Sequence, residues 1–177
     1  YLHKNAETEF ELTKTVEYVK AKLTEYGCEF SDCGKNGVVC LIGKKDSDKC
    51  FLLRADMDAL PVREESKLEF ACKNGNMHAC GHDFHTASLL GAVTALSRLR
   101  EDIKGNVLFI FQPGEEHGTG ADEVMDTGIF EKDPPKAFYS LHVKPDISAG
   151  KIGIRKGPIM AALCCFSIDI HGKGGHG

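Results

Sequence analysis

Three features of the sequence predict an α/β fold with at least part of its sheet parallel. Helix-like and strand-like patterns alternate through most of the chain. Residues 107–111 are almost wholly apolar, the mark of a strand buried on both faces. Residues 83–98, rich in Ala and Leu, suit a helix packed on a sheet. At 177 residues there is chain enough for one proper core and the start of a second domain.

From the amino end, Leu12, Val16, Val19 and Leu23 mark one face of a helix over residues 8–26, stopped by Gly27. Two short apolar runs, 38–42 and 51–55, flank the turn-rich stretch 43–49 and are expected to form paired strands. Residues 56–79 are polar, contain Pro61 and Gly75, and predict a long ordered loop. Beyond the helix at 83–98, Gly105 and Asn106 introduce the strand at 107–111. A shorter helix is expected over 121–126, ended by Gly128. After Pro134 and Pro135, residues 137–141 predict another buried strand, and 151–155 a further one. Residues 161–171 begin a long strand that runs into Gly172-Lys173-Gly174-Gly175-His176-Gly177. A glycine-rich turn directly after a strand is an odd place for a domain to end, so the chain is expected to be a fragment.

Composition excludes several classes. Hydrophobic residues at 42% and charged residues at 27% match an ordinary soluble globular protein. A net charge of -4 with interleaved signs favours neither nucleic acid nor an anionic membrane. No apolar stretch approaches the roughly 20 residues that span a bilayer. Residues 1–11 carry no signal-peptide pattern, and the expected location is the cytoplasm. The eight cysteines are irregularly spaced, and Cys40, Cys50, Cys164 and Cys165 sit in apolar runs. Buried, reduced thiols are therefore expected rather than disulfides.

The chemistry concentrates in four places. His78-Ala79-Cys80-Gly81-His82-Asp83-Phe84-His85 packs three of the chain's eight histidines beside a cysteine. A glycine between Cys80 and His82 suits a tight turn that aims both side chains at one point, and thiolate and imidazole both bind zinc-like ions. An exposed helix start with Asp83 near its cap is the plainer alternative. Gln112-Pro113-Gly114-Glu115-Glu116-His117 follows the most buried strand, where α/β sheets hold ligands. One of its carboxylates can face a metal and the other a water; taken alone, a solvated acidic turn explains it as well. His142 ends an apolar strand, as many structural histidines do. Asp56 and Asp58, also at a strand end, suit groups that orient a ligand histidine.

Together the motifs Arg54-Ala55-Asp56-Met57-Asp58-Ala59-Leu60-Pro61, Met77 to Asp83, Gln112 to Glu116, Leu141-His142-Val143 and the closing Gly172 to Gly177 resemble, in order, the aminoacylase/carboxypeptidase family of metallopeptidases. The likeness falls in the branch of hippurate hydrolase, N-acetyl-amino-acid deacetylases and auxin-conjugate hydrolases. Even Leu2 to Glu7 is similar to the family's opening segment, with Ala6 where proline is usual.

The resemblance implies a partial three-layer catalytic domain over residues 1–160, its mixed sheet flanked by helices. Residues 161–177 would open an inserted α+β lid that forms dimers. It implies two divalent ions (Zn, Mn, Co or Ni), bridged by Cys80, with His82, Glu116 and His142 as terminal ligands. Glu115 would be the general base acting on a metal-activated water, Asp58 an outer group, and His176 an oxyanion donor working across a homodimer. Small N-acyl amino acids or peptide-like molecules would be the substrates, cleaved at the amide bond. Family members are roughly twice as long and supply one more histidine ligand after the lid, so these 177 residues alone are expected to be inactive. His3, His78, His85 and His117 receive no role. Two rival readings remain: a Cys80 nucleophile activated by His82 or His142, which leaves Glu115 and Glu116 unexplained, and an inactive metal-binding relative.

Overall fold

A computed structural model describes every residue except 45, 46, 133, 163, 165 and 177. It divides into two compact units, residues 1–143 and 144–177. The first contains α1 (Thr13–Glu25), β1 (Phe30–Cys33), β2 (Gly37–Gly43), β3 (Cys50–Asp56), α2 (His82–Arg98), β4 (Asn106–Gln112), α3 (Gly120–Met125), α4 (Ile129–Lys132) and β5 (Ala137–Ser140). A single 3-10 turn, His3–Asn5, precedes them.

The five strands make one mixed sheet in the order β1-β2-β4-β3-β5. β4 is antiparallel to β2 and parallel to β3, which is in turn parallel to β5. The expected pairing of 38–42 with 51–55 is therefore wrong, because β4 lies between them. The reason is compositional: β4 is apolar on both faces, and only a central position covers both. α2 provides the crossover that lets β3 and β4 run parallel.

Side chains of β2 and β4 alternate between two cores. On one face Val38, Cys40, Ile42, Phe109 and Phe111 pack with Val16, Val19 and Leu23 of α1 and Leu89, Leu90 and Val93 of α2. On the other, Val39, Leu108 and Ile110 pack with Leu52 and with Val124 of α3, and Ile129 and Phe130 of α4 lie against them. The architecture is thus helix, sheet, helix, as expected.

Local boundaries differ for local reasons. α1 starts at Thr13 rather than residue 8, because the Glu7 carboxylate accepts from the Lys14 and Thr15 backbone N–H groups and the Thr15 hydroxyl. This caps the helix from outside. β1 went unread because three of its four residues are exposed and no apolar alternation marks them. β5 is an edge strand rather than the buried one expected: it pairs with β3, and Phe138 and Tyr139 are exposed. Cys28, Cys33, Cys40 and Cys72 are buried free thiols and Cys50 is buried, whereas Cys164 is exposed and Cys165 lies outside the described residues.

The second unit has no helix or strand among its described residues, which are exposed throughout. The strands expected at 151–155 and 161–171 are thus absent there. A strand needs a neighbouring backbone to pair with, and Ile152, Ile154, Ile168 and Ile170 face solvent with no such partner. Leu163 and Cys165, within the second range, lie outside the described residues. No helix among the described residues is long and apolar enough to cross a membrane.

Candidate metal centre

β3, β4 and β5 run parallel, so their carboxyl ends open on one edge of the sheet. Asp56 and Gln112 are register partners at the ends of β3 and β4, and His142 follows β5 by two residues. The amino end of α2 delivers Cys80 and His82 to the same edge. Gly81 makes that delivery possible. Its φ of +84° is left-handed, and a Cβ there would lie 2.4 Å from Cγ2 of Val143.

His82 is the hub. It is 1% exposed, yet neither ring nitrogen has a hydrogen-bond partner. Nδ1 faces Asp58 Oδ1 at 3.6 Å. Nε2 faces Asp56 Oδ2 at 3.7 Å, Glu116 Oε1 at 3.7 Å and Glu115 Oε2 at 3.9 Å. Burial works against a charged ring here, but the surrounding carboxylates outweigh it and raise the His82 pKa.

Asp58, itself 1% exposed, holds the acidic turn. Its Oδ1 accepts the Glu115 backbone N–H and its Oδ2 the Glu116 N–H, each at 3.0 Å. One carboxylate therefore fixes the backbone of the base candidate and the ligand candidate together, and lies beside His82. Glu115 is partly exposed, and its pKa is raised by burial and by Asp56 and Glu116. Cys80 Sγ lies 3.3 Å from His142 Nε2. His142 Nδ1 donates to the Val143 carbonyl at 2.6 Å, which leaves Nε2 as the lone pair facing the thiol. Burial, then the charges of Glu116, Glu115 and Asp56, push the Cys80 thiol up to about 12.

This donor set fits a cation. Cys80, His82 and His142 have ligand atoms within 4.8 Å of one another, as do His82, Glu115 and Glu116. A buried imidazole without partners, a thiol held protonated by its neighbours' negative charge, and clustered carboxylates all gain from positive charge at their centre. Ligand atoms of Asp56, His82 and His85 lie equally close, but Asp56 and His85 are already hydrogen-bonded to each other. Asp56 Oδ1 accepts from His85 and its Oδ2 from Arg54, whose Nε is tied to Gln112. Burial opposes ionisation of Asp56, but His85, Arg54 and His82 hold its pKa down at about 2.

Of the residues expected from sequence, Cys80, His82, Glu115, Glu116, His142 and Asp58 converge. His176 lies exposed in the second unit. Of the unassigned histidines, His117 is exposed and bonded to Thr119. His3 bridges Asp83 at 2.7 Å and Glu64 at 3.0 Å. His78 is buried with neither nitrogen bonded, and burial lowers its pKa to about 4. His85 is the residue the sequence reading passed over. Its spacing of three from His82 puts it on the core-facing side of α2, with Thr86, Leu89 and Val93. A histidine on that side needs a buried polar partner, and Asp56 is that partner.

Comparison with known proteins gives the family. The model described as Peptidase family M20/M25/M40 matches residues 52–175. N-acetylcysteine deacetylase of Bacillus subtilis (strain 168) is 42% identical over 178 residues, covering 99% of this chain and 46% of that protein. N-acyl-L-amino acid amidohydrolase of Geobacillus stearothermophilus is 43% identical over 180 residues, covering 100% and 48% respectively. The crystal structure of the YXEP protein of Bacillus subtilis, described as a dinuclear metal binding peptidase from the M20 family, superposes with a TM-score of 0.83. It is 42% identical, covering 89% of this chain and 44% of that one. The chain spans about half the length of the curated relatives it matches.

Proposed function

Because the chain belongs to peptidase family M20/M25/M40, we propose that the protein carrying it is a two-metal amidohydrolase that cleaves N-acyl amino acids or small peptide-like amides. The observation that carries this reading is the buried, unpartnered His82 ring encircled by Asp56, Asp58, Glu115 and Glu116 beside the Cys80–His142 pair.

In this reading Cys80, His82, Glu116 and His142 would hold two divalent ions between them. The candidates are Zn, Co, Ni or Mn, since thiolate and imidazole suit the first three and carboxylates the last. Such ions supply Lewis acidity, polarising the scissile carbonyl and easing removal of a water proton. Glu115 takes that proton and passes it to the leaving amine. Its raised pKa suits a group that must both accept and give a proton. Asp58 keeps Glu115 and Glu116 in register with His82 through the two backbone bonds it accepts. The names of the relatives, a deacetylase and an N-acyl amino acid amidohydrolase, support the substrate class.

Residues 1–160 belong to the catalytic domain in this reading, and residues 161–177 open a lid that forms a homodimer. There His176 of one subunit steadies the oxyanion in the other. The setting is cytoplasmic, with no nucleic-acid or membrane partner, in keeping with the interleaved charge. Light scattering that returned a monomer for the full-length protein would remove the role given to His176.

The deciding experiment measures amino acid released from N-acetyl, N-benzoyl and dipeptide substrates by the full-length protein, before and after chelation and with Zn, Mn, Co and Ni restored. Glu115→Gln should lower the chelator-sensitive rate by roughly a hundred- to ten-thousand-fold while metal stays bound. No turnover with any metal by a folded protein would instead identify an inactive metal-binding relative.

A further inference from the structure

We propose that His85 is a positioning residue that sets the direction of His142 through the backbone N–H of Val143; this rests on the reading of His142 as a metal ligand. Three observations carry it. The Val143 N–H donates to His85 Nε2 at 2.9 Å. An amide N–H can only donate, so Nε2 is bare and the proton sits on Nδ1. Nδ1 donates to Asp56 Oδ1 at 2.6 Å.

Asp56 is pinned in its turn. Arg54 holds Oδ2, and the Thr86 hydroxyl, one residue beyond His85 on α2, donates to its main-chain carbonyl. The result is a strut from the end of β3, through a fully buried imidazole on α2, to the peptide that links His142 and Val143.

The Val143 backbone controls His142 directly. His142 Nδ1 donates to the carbonyl of Val143, so its ring turns with the backbone that His85 holds. The His85 and His142 rings also meet edge-on, with centroids 4.5 Å apart and planes at 67°. Because His142 and Val143 are exposed and lie beyond the end of edge strand β5, no sheet pairing among the described residues holds them. His85 substitutes for the missing strand partner, and Asp56 fixes the tautomer in which it can do so. With Nδ1 and Nε2 both engaged, His85 does not itself ligate.

The proposal separates the two bonds of the imidazole. His85→Gln places an acceptor where Nε2 stood and can still hold the Val143 N–H. His85→Asn reproduces the donor to Asp56 but cannot reach Val143. Full-length apo-protein would be titrated with Co(II), and the ligand-field and thiolate charge-transfer bands recorded for wild type, both variants and His142→Ala.

The expected result is that His85→Asn weakens one of two cobalt sites by roughly 10–100-fold and shifts its bands towards those of His142→Ala. His85→Gln should stay within a few-fold of wild type. Equal binding and spectra for His85→Asn and wild type, with His142→Ala impaired, would overturn the role of His85 and leave the ligand reading standing. Unchanged binding in His142→Ala would overturn both. Thermal unfolding of each apo-protein checks that the variants fold; parallel losses in His85→Asn and His85→Gln would reduce His85 to a packing residue and refute the proposal.

Discussion

Gly81 ties the local backbone to the chemistry most directly. Its left-handed φ would cost an alanine roughly 1–2 kcal/mol, and the contact with Val143 would add to that. Gly81→Ala should therefore lower the urea midpoint by more than the backbone cost alone, and should weaken metal binding by displacing Cys80 from His82. An unfolding free energy within about 0.5 kcal/mol of wild type would mean that the turn relaxes freely. This constraint was legible in the sequence, as were the ligand candidates on either side of it. Cysteine beside histidine, or glutamate beside glutamate at a strand end, leaves few other readings once the motifs occur in order. His85 was not legible in the same way, because its role depends on Asp56 and Val143, which come near it only through the fold.

The elements around the site are held by contacts between distant segments, and one of them is sensitive to pH. His3, in the first turn, bridges Glu64 of the long loop and Asp83 of α2. Burial works against the charged His3 ring, yet its two carboxylate partners raise its pKa above 6.5. Hydrogen bonds from Ser66 and His3 lower Glu64 from 4.5 to about 2. A raised histidine stabilises the fold below its unfolded pKa and loses that contribution as pH rises through the folded value. A depressed carboxylate stabilises above its unfolded pKa and loses it as pH falls through the folded one. Both contributions are therefore complete between about pH 4.5 and 6.5. Urea unfolding of His3→Asn should show its largest deficit in that window, narrowing on either side; a deficit independent of pH would show that the contact works by shape alone. Strand order was harder to read than strand existence. The apolar run of β4 announces a buried strand, but nothing local to β2 or β3 says that β4 separates them. β5 carries Phe138 and Tyr139 like an interior strand, though its outer edge pairs with no described strand.

Over the whole first unit, the three layers gather Asp56, Asp58, Glu115 and Glu116 around His82, with Arg54 paired to Asp56. Metal removal should therefore destabilise the folded protein. If metal is present at 100 times its Kd, chelation costs about 2.7 kcal/mol, seen as a fall in Tm. Exchanging both Cys80→Ser and Glu116→Gln should abolish that fall. A Tm indifferent to chelator in the wild type would contradict the metal reading. The general architecture was legible because a three-layer α/β unit follows from alternating patterns and one central apolar strand. The second unit was not, because its alternating apolar residues suggest strands whose backbone partners are absent among the described residues.

The edge position of β5 also bears on how the proposed ligands come together in time. Cys80 and His82 sit together at the start of one helix and need little more than that helix to be near each other. His142 arrives only when β5 docks on β3, a parallel pairing that sets Arg54 opposite Ser140 across about half of the chain. Pairings so distant in sequence form slowly, because the entropy of closing the loop must be met before the contact rewards it. A polypeptide caught before that closure offers an incomplete set of ligands and releases what it captures. Retention of metal would thus report that the longest strand pairing among the described residues has been made, and would distinguish a finished chain from a stalled one.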